Sequence, residues 1–231
     1  SYLLPEIEMM NRPSRADGDA TRKQILQAAG ELFATTGYAE ITNKAIAALA
    51  QVDLASINYH FSTRNGLYQA VLTEAHHRLI DLADLRQLAE GELPPTSKFK
   101  VLIEQLVRLA TSEPQSWHLR VLAREVLAPT SHLQVLFQNE ALPKMLLVKR
   151  LLSEITAMPA DDPALTRCLL SVAAPCLMLL VGGRTFPGPM QEIFQMPPEA
   201  IASHLYRFAL GGLQAIAHDQ KRDEEKLAPE S

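Results

Sequence analysis

The chain has 231 residues, 47% of them hydrophobic and 21% charged, and a net charge of −4. This composition excludes a disordered chain, and the charge excludes a uniformly basic surface, although a basic footprint confined to one module stays open. Two cysteines make no disulfide framework, the longest apolar run (Ala173 to Val181, with Pro175 inside) falls short of the ~20 residues of a membrane span, and no leader precedes the first charges; a soluble protein of the reducing cytoplasm is expected.

Residues 1–18 lack helical periodicity and hold Pro5, Pro13 and Gly18, so they read as an extension ending in a basic arm. A first helix is expected from about Asp19, with Ile25, Ala29, Leu32 and Phe33 on one face and Gly37 as the stop. Two short helices follow. Thr42 caps the first, with Ile41 and Ile46 placed as a staple, and Asp53 caps the second, with Val52 and Ile57 in the same relation. Only Gln51 and Val52 lie between them. A fourth helix starts after Phe61, capped by Ser62 or Thr63, and its series Leu67, Val71, Ala75, Leu82 predicts about six turns.

Gly91, Pro94 and Pro95 mark a break. Helices are predicted beyond it at about 96–112, 115–128, 131–157, 162–184 and 198–218, with Pro143 and Pro175 expected to kink or split theirs. No stretch alternates with period two, so the fold class is all-α. The charged residues 219–231 read as a frayed tail.

Two short helices joined by a tight turn and braced by longer ones describe a helix-turn-helix, in which the second short helix enters the DNA major groove. In that helix Ile57 and Phe61 are four apart and turn to the core, leaving Ala55, Ser56, Asn58, Tyr59 and His60 on the other side. No acidic residue follows its cap, and hydroxyl, amide and imidazole groups suit base edges and phosphates. An ordinary amphipathic helix of a bundle shows the same spacing. Charge does not decide between the two, because residues 10–70 carry six basic and five acidic side chains.

Specific residues do. Thr21-Arg22-Lys23-Gln24-Ile25-Leu26, Ala28-Ala29, Glu31-Leu32-Phe33, Gly37-Tyr38, Thr42, Ile46-Ala47 and Ser56-Ile57-Asn58-Tyr59-His60-Phe61, followed by Arg64, Gly66-Leu67 and Tyr68, resemble the TetR/AcrR family of transcriptional regulators over residues 20–72. Further on, Trp117, Arg124-Glu125-Val126-Leu127, Pro129-Thr130 and the stretch 159–180 resemble the C-terminal domain of its CecR-like, drug-responsive subfamily. The resemblance implies that Thr42, Tyr59, His60 and Arg64 hold phosphates and that Ala55, Ser56 and Asn58 approach bases; Lys44 is a further phosphate candidate. Three residues depart from the family's pattern. Gln51 replaces a turn glycine and so meets a positive φ, Leu54 offers an apolar contact to a thymine methyl, and Asn58 replaces a common tyrosine with an amide able to pair with adenine.

No metal-ligand spacing, phosphate loop or nucleophile motif is present in the sequence, so neither cofactor nor metal nor enzymatic activity is expected. Cys168 and Cys176 lie eight apart on one predicted helix, too far for a bridge within the chain. Gly182-Gly183 and Gly211-Gly212 would permit close helix approach, with a helix end as the blander reading of the first pair. The 115–128 helix has Leu119, Leu122, Ala123 and Val126 on one face and Trp117, Arg120, Val121 and Arg124 on another. The second face, with Met145, Cys176 and Met178, is the expected effector lining.

The expected organisation is an extension (1–18), a DNA-binding domain (19–66), an effector-binding and dimerisation domain (67–218) and a tail (219–231). The expected function is a homodimeric, cytoplasmic repressor on a pseudo-palindromic operator in double-stranded DNA, released by a small hydrophobic or amphipathic effector. The alternatives are a DNA-binding regulator without such an effector and an all-α enzyme or carrier.

Overall fold

The computed structural model describes residues 15–112, 116–182 and 188–227. The first part of the expected N-terminal arm, Gly183 and the last residues of the tail lie outside them. Among the described residues there are helices and turns but no strand. The chain divides between Ala70 and Val71 into two compact units.

The first unit holds α1 (Arg15–Thr35), α2 (Asn43–Ala50), α3 (Leu54–Phe61) and the beginning of α4 (Arg64–Leu79). Helices α1, α2 and α3 pack on one another. Their apolar faces, with Ile25, Ala29, Phe33, Ile46 and Ile57 almost fully buried, make the core together with Leu67. Helix α1 starts earlier than the predicted Asp19 and ends where Gly37, at φ 103°, turns the chain.

The second unit contains the rest of α4, then α5 (Leu82–Glu90), α6 (Pro95–Thr111), α7 (Trp117–Leu127), α8 (His132–Leu136), a π-helical turn (Phe137–Ala141), α9 (Leu142–Thr156), α10 (Pro163–Gly182), α11 (Pro189–Ile193) and α12 (Pro198–Leu227). Helices α6, α7, α9 and α12 pack on α10, whose buried face with Leu165, Cys168, Val172 and Leu179 is part of the core. Helix α10 is also long and apolar enough to cross a membrane by length and composition, unlike the shorter run read from the sequence; its nine buried residues make it a core helix here.

Several expectations change. The fourth helix does not run six turns, because the Asp81 carboxylate accepts the amides of Ala83 and Asp84 and starts α5 as a new helix. The single helix predicted at 131–157 is three segments. Pro143 has no N–H to offer the preceding turn, and the amide of Leu142 reaches five residues back to the Phe137 carbonyl. Pro175, by contrast, does not split α10. Helix α12 continues past 218 to Leu227, through part of the expected tail, and α11 had no counterpart in the prediction.

Candidate nucleic-acid interface

The turn between α2 and α3 is built by caps at both ends. Thr42 Oγ1 accepts the amide of Ala45 at 3.2 Å, and Asp53 Oδ1 accepts that of Ser56 at 2.7 Å. Gln51 ends α2 at φ 55°, ψ 42°, the left-handed conformation expected of a residue standing in place of glycine. With only Val52 between this turn and the Asp53 cap, the two short helices meet in a tight corner.

The connection from α3 to α4 carries backbone strain that the sequence did not announce. Ser62 sits at φ 59°, ψ −50°, and Thr63 N donates to Phe61 O at 2.6 Å, the geometry of a γ-turn with positive φ. Of the two cap candidates, Thr63 is the one that bonds, accepting the Gly66 amide at 2.9 Å. Gly66 is required by close approach, since a Cβ there would stand 2.5 Å from the Phe61 carbonyl oxygen.

Eight of the nine expected DNA-facing side chains are on the short-helix pair and its caps, six of them exposed. Thr42, Lys44, Ala55 and Asn58 are exposed, Leu54 is 48% and Tyr59 84% exposed, and Ser56 is half-buried. Tyr59 meets half-buried His60 edge-on, with ring centroids 5.0 Å apart. Ile57 and Phe61 turn inward as the spacing requires, leaving this polar face unobstructed.

Arg64 is held more firmly than a free phosphate arm. Its guanidinium lies 4.6 Å from the centroid of the Tyr38 ring and donates to the Tyr38 carbonyl, while the Tyr38 hydroxyl bonds to Asn65 Oδ1. Tyr38 in turn packs on Tyr68 and Phe33. Tyr38, its hydroxyl held by Asn65, therefore orients Arg64 from 26 residues away, a role that no local pattern carries.

The expected effector lining is scattered. Trp117, Val121 and Cys176 are core residues, Arg124 and Met145 are half-buried, Arg120 is exposed, and Met178 is 50% exposed. The predicted apolar face of α7 fails at Val126, which is exposed, while the adjacent Glu125 is buried and its carboxylate accepts the amide and the hydroxyl of Thr130. A cavity of about 320 Å³ lies elsewhere, between the end of α4, α5 and α6, with Leu85, Leu88, Leu102 and Leu109 in its walls and Arg78 and Arg108 beside them. None of the seven expected residues lines it. Cys168 and Cys176 are both buried and free, and burial raises the pKa of each thiol, that of Cys176 to about 11. Among the described residues no His, Cys, Asp and Glu cluster suits a metal ion.

Residues 25–71 match the profile of bacterial regulatory proteins of the tetR family. Residues 95–213, more than half of the chain, match that of the C-terminal domain of the HTH-type transcriptional dual regulator CecR. The HTH-type transcriptional regulator TtgR of Pseudomonas putida is 33% identical over 97 residues, which make up 42% of this chain and 46% of TtgR. The chain thus matches about half the length of the curated relative. Among solved structures, the fatty acid degradation regulator FadR of Bacillus halodurans has a TM-score of 0.65 at 16% identity, over 82% of this chain and 98% of FadR. NalD, the secondary repressor of the MexAB-OprM multidrug efflux pump in Pseudomonas aeruginosa, has a TM-score of 0.61 at 21% identity, over 85% of this chain and 96% of NalD. At such identities these two likenesses speak for the fold.

Proposed function

Because the chain belongs to the TetR family of bacterial regulatory proteins, with a C-terminal domain of the CecR type, we propose that it represses transcription from a pseudo-palindromic operator and leaves it when a small amphipathic effector binds. The observation that carries the DNA reading is the polar outer face of α3, with Asn58 and Tyr59 exposed on a short helix capped at its start. Helix α3 enters the major groove, with Leu54, Ala55, Ser56 and Asn58 toward base edges. Thr42, Lys44, Tyr59, His60 and Arg64 meet phosphates, where the amino ends of α2 and α4 also favour anions. The DNA-binding domain is assigned to residues 19–66, and effector binding and dimerisation to 67–218.

One recognition helix covers too little DNA for tight binding, so two chains act together. Exposed apolar residues on the last long helices support their use as the dimer face: Leu170 and Leu177 on α10, Phe208 and Ile216 on α12. Among the described residues nothing from other elements lies within 4 Å of where a Cβ on Gly211 or Gly212 would stand, which leaves room there for a partner helix. For the effector, the α4–α5–α6 cavity offers leucine walls with Arg78 and Arg108 set beside Asp81 and Asp84, at the lower end of the roughly 300–1,000 Å³ range of small-molecule sites.

The test is footprinting with binding measured across a salt series. Two half-sites about one helical turn apart, or a multiple of it, are expected, and Lys44→Ala is expected to reduce the salt slope by about one unit or less while weakening all sequences alike. Binding without sequence preference, or a monomer on a single half-site, overturns the reading.

A further inference from the structure

Ser56 carries a constraint that its identity as a serine does not reveal. A serine hydroxyl ordinarily donates one hydrogen bond and accepts others, so it contacts any base without favour. Here its proton is taken. Ser56 Oγ lies 2.6 Å from Asp53 Oδ1, the same oxygen that accepts the Ser56 amide at 2.7 Å. A carboxylate can only accept, so the hydroxyl must be the donor, and 2.6 Å is the length of a charge-assisted O–H···O⁻ bond. Both hydrogen bonds also hold the Asp53 carboxyl below its ordinary range, which keeps it ionised at neutral pH.

We propose that Asp53 fixes Ser56 as a pure hydrogen-bond acceptor, so that Ser56 selects a base carrying an exocyclic amino group, adenine or cytosine, at the position it faces. This deepens the operator-binding reading and rests on it, since it requires α3 to lie in the major groove. In that groove adenine N6 and cytosine N4 are donors, whereas guanine offers O6 and N7 and thymine offers O4, all acceptors. Two acceptors brought together without a proton repel, so guanine and thymine are disfavoured there. Asp53 is thereby a positioning residue for readout as well as a helix cap. Its two roles use one oxygen, which ties the orientation of the hydroxyl to the start of the helix.

The experiment begins with selection from random DNA by the wild-type protein, Ser56→Ala and Ser56→Thr. Alanine keeps the backbone amide that Asp53 caps, and threonine keeps the hydroxyl. One base position per half-site is expected to lose its preference in Ser56→Ala and keep it in Ser56→Thr, and the preferred base there is adenine or cytosine. Operators are then made with that base altered: purine for adenine or pyrimidin-2-one for cytosine, each lacking the amino group, and 7-deazaadenine, lacking only the N7 acceptor. Loss of the amino group should weaken wild-type binding about five-fold, the worth of one net hydrogen bond, and leave Ser56→Ala unchanged. Loss of N7 should produce no Ser56-dependent change. A Ser56-dependent guanine or thymine, a Ser56-dependent loss with 7-deazaadenine, or a consensus identical in Ser56→Ala overturns the assignment while leaving operator binding intact. Selection of no consensus by the wild type overturns both.

Discussion

The unit ending at Ala70 and the unit beginning at Val71 hold their polar side chains in different ways. In the first, Thr42, Asp53 and Thr63 each bond to a backbone amide three residues ahead, at the surface. In the second, Lys144 Nζ lies 2.8 Å from His76 Nδ1, 68 residues away, and 3.4 Å from Glu140 Oε2, with the Lys144 side chain only 4% exposed. Glu140 also receives His77 Nε2 at 2.8 Å, and buried Lys98 donates to the Ala89 carbonyl at 2.6 Å. The first arrangement makes helix ends and leaves a polar face open; the second closes a network inside a packed unit. Each is expected to respond differently to disruption, because a surface cap still has water as an alternative partner and a buried charge has none.

The largest expected effect tests the buried network. Lys144→Ala should lower unfolding free energy by about 3 kcal/mol in urea titration, the low end for a broken buried pair, since Glu140 loses its buried cation but is 16% exposed and keeps His77. Replacing both partners, Lys144→Met with Glu140→Leu, should recover most of that loss. A cost below that of a surface cap would show the network to be energetically idle.

Acid should reach the same unit next. Burial, aided by the Lys144 and His77 charges, lowers the pKa of His76 to about 4. Above the unfolded value of 6.5, both states are neutral at this site and pH has no effect through it. Below 6.5 the unfolded chain takes up a proton that the folded chain refuses, so stability falls until about pH 4, where both are protonated. The loss attributable to His76 is about 2–3 kcal/mol, and His118, also lowered to about 4 chiefly by burial, adds a smaller share because it is less enclosed. Urea midpoints measured from pH 7 to pH 4 check this, and His76→Gln should flatten the profile.

The caps of the first unit sit lower on the scale. Thr42→Ala and Asp53→Ala should each cost about 1 kcal/mol in thermal or urea unfolding. The smallest effect concerns the turn: Gln51→Gly removes a side chain from a left-handed conformation and should stabilise by about 0.5 kcal/mol, after the entropy that glycine adds to the unfolded chain. A destabilised Gln51→Gly would mean that the glutamine side chain supports the corner.

The same contrast explains which features could be read from residues alone. Thr42 and Asp53 were legible as caps because donor, acceptor and staple all fall within one turn of chain. The strained turn at Gln51 was legible because a residue other than glycine stood at a position that needs positive φ. Helix α4 was read too long, since its apolar series passes over Asp81 without a break and only the cap shows where α5 begins. The effector lining is not legible from spacing for a related reason. Helical spacing puts Trp117 and Val121 on a face with Arg120 and Arg124, but whether that face meets a cavity depends on which helix covers it, and α10 packs on α7.

By itself the sequence determined the all-α class, the helix-turn-helix with its two caps, and the polar outward face of α3, because each depends on interactions or periodicities that close within a few residues. Only the tertiary structure decided that Tyr38, its hydroxyl held by Asn65, orients Arg64, that Ser56 gives its proton to Asp53, that Pro143 is preceded by a π-helical turn while Pro175 leaves α10 whole, and that Lys98, Glu125 and Lys144 are buried. A charged residue is written alike whether it faces water or a core. What settles the matter is the desolvation cost and the partners brought by distant segments, and these exist only once the helices have packed.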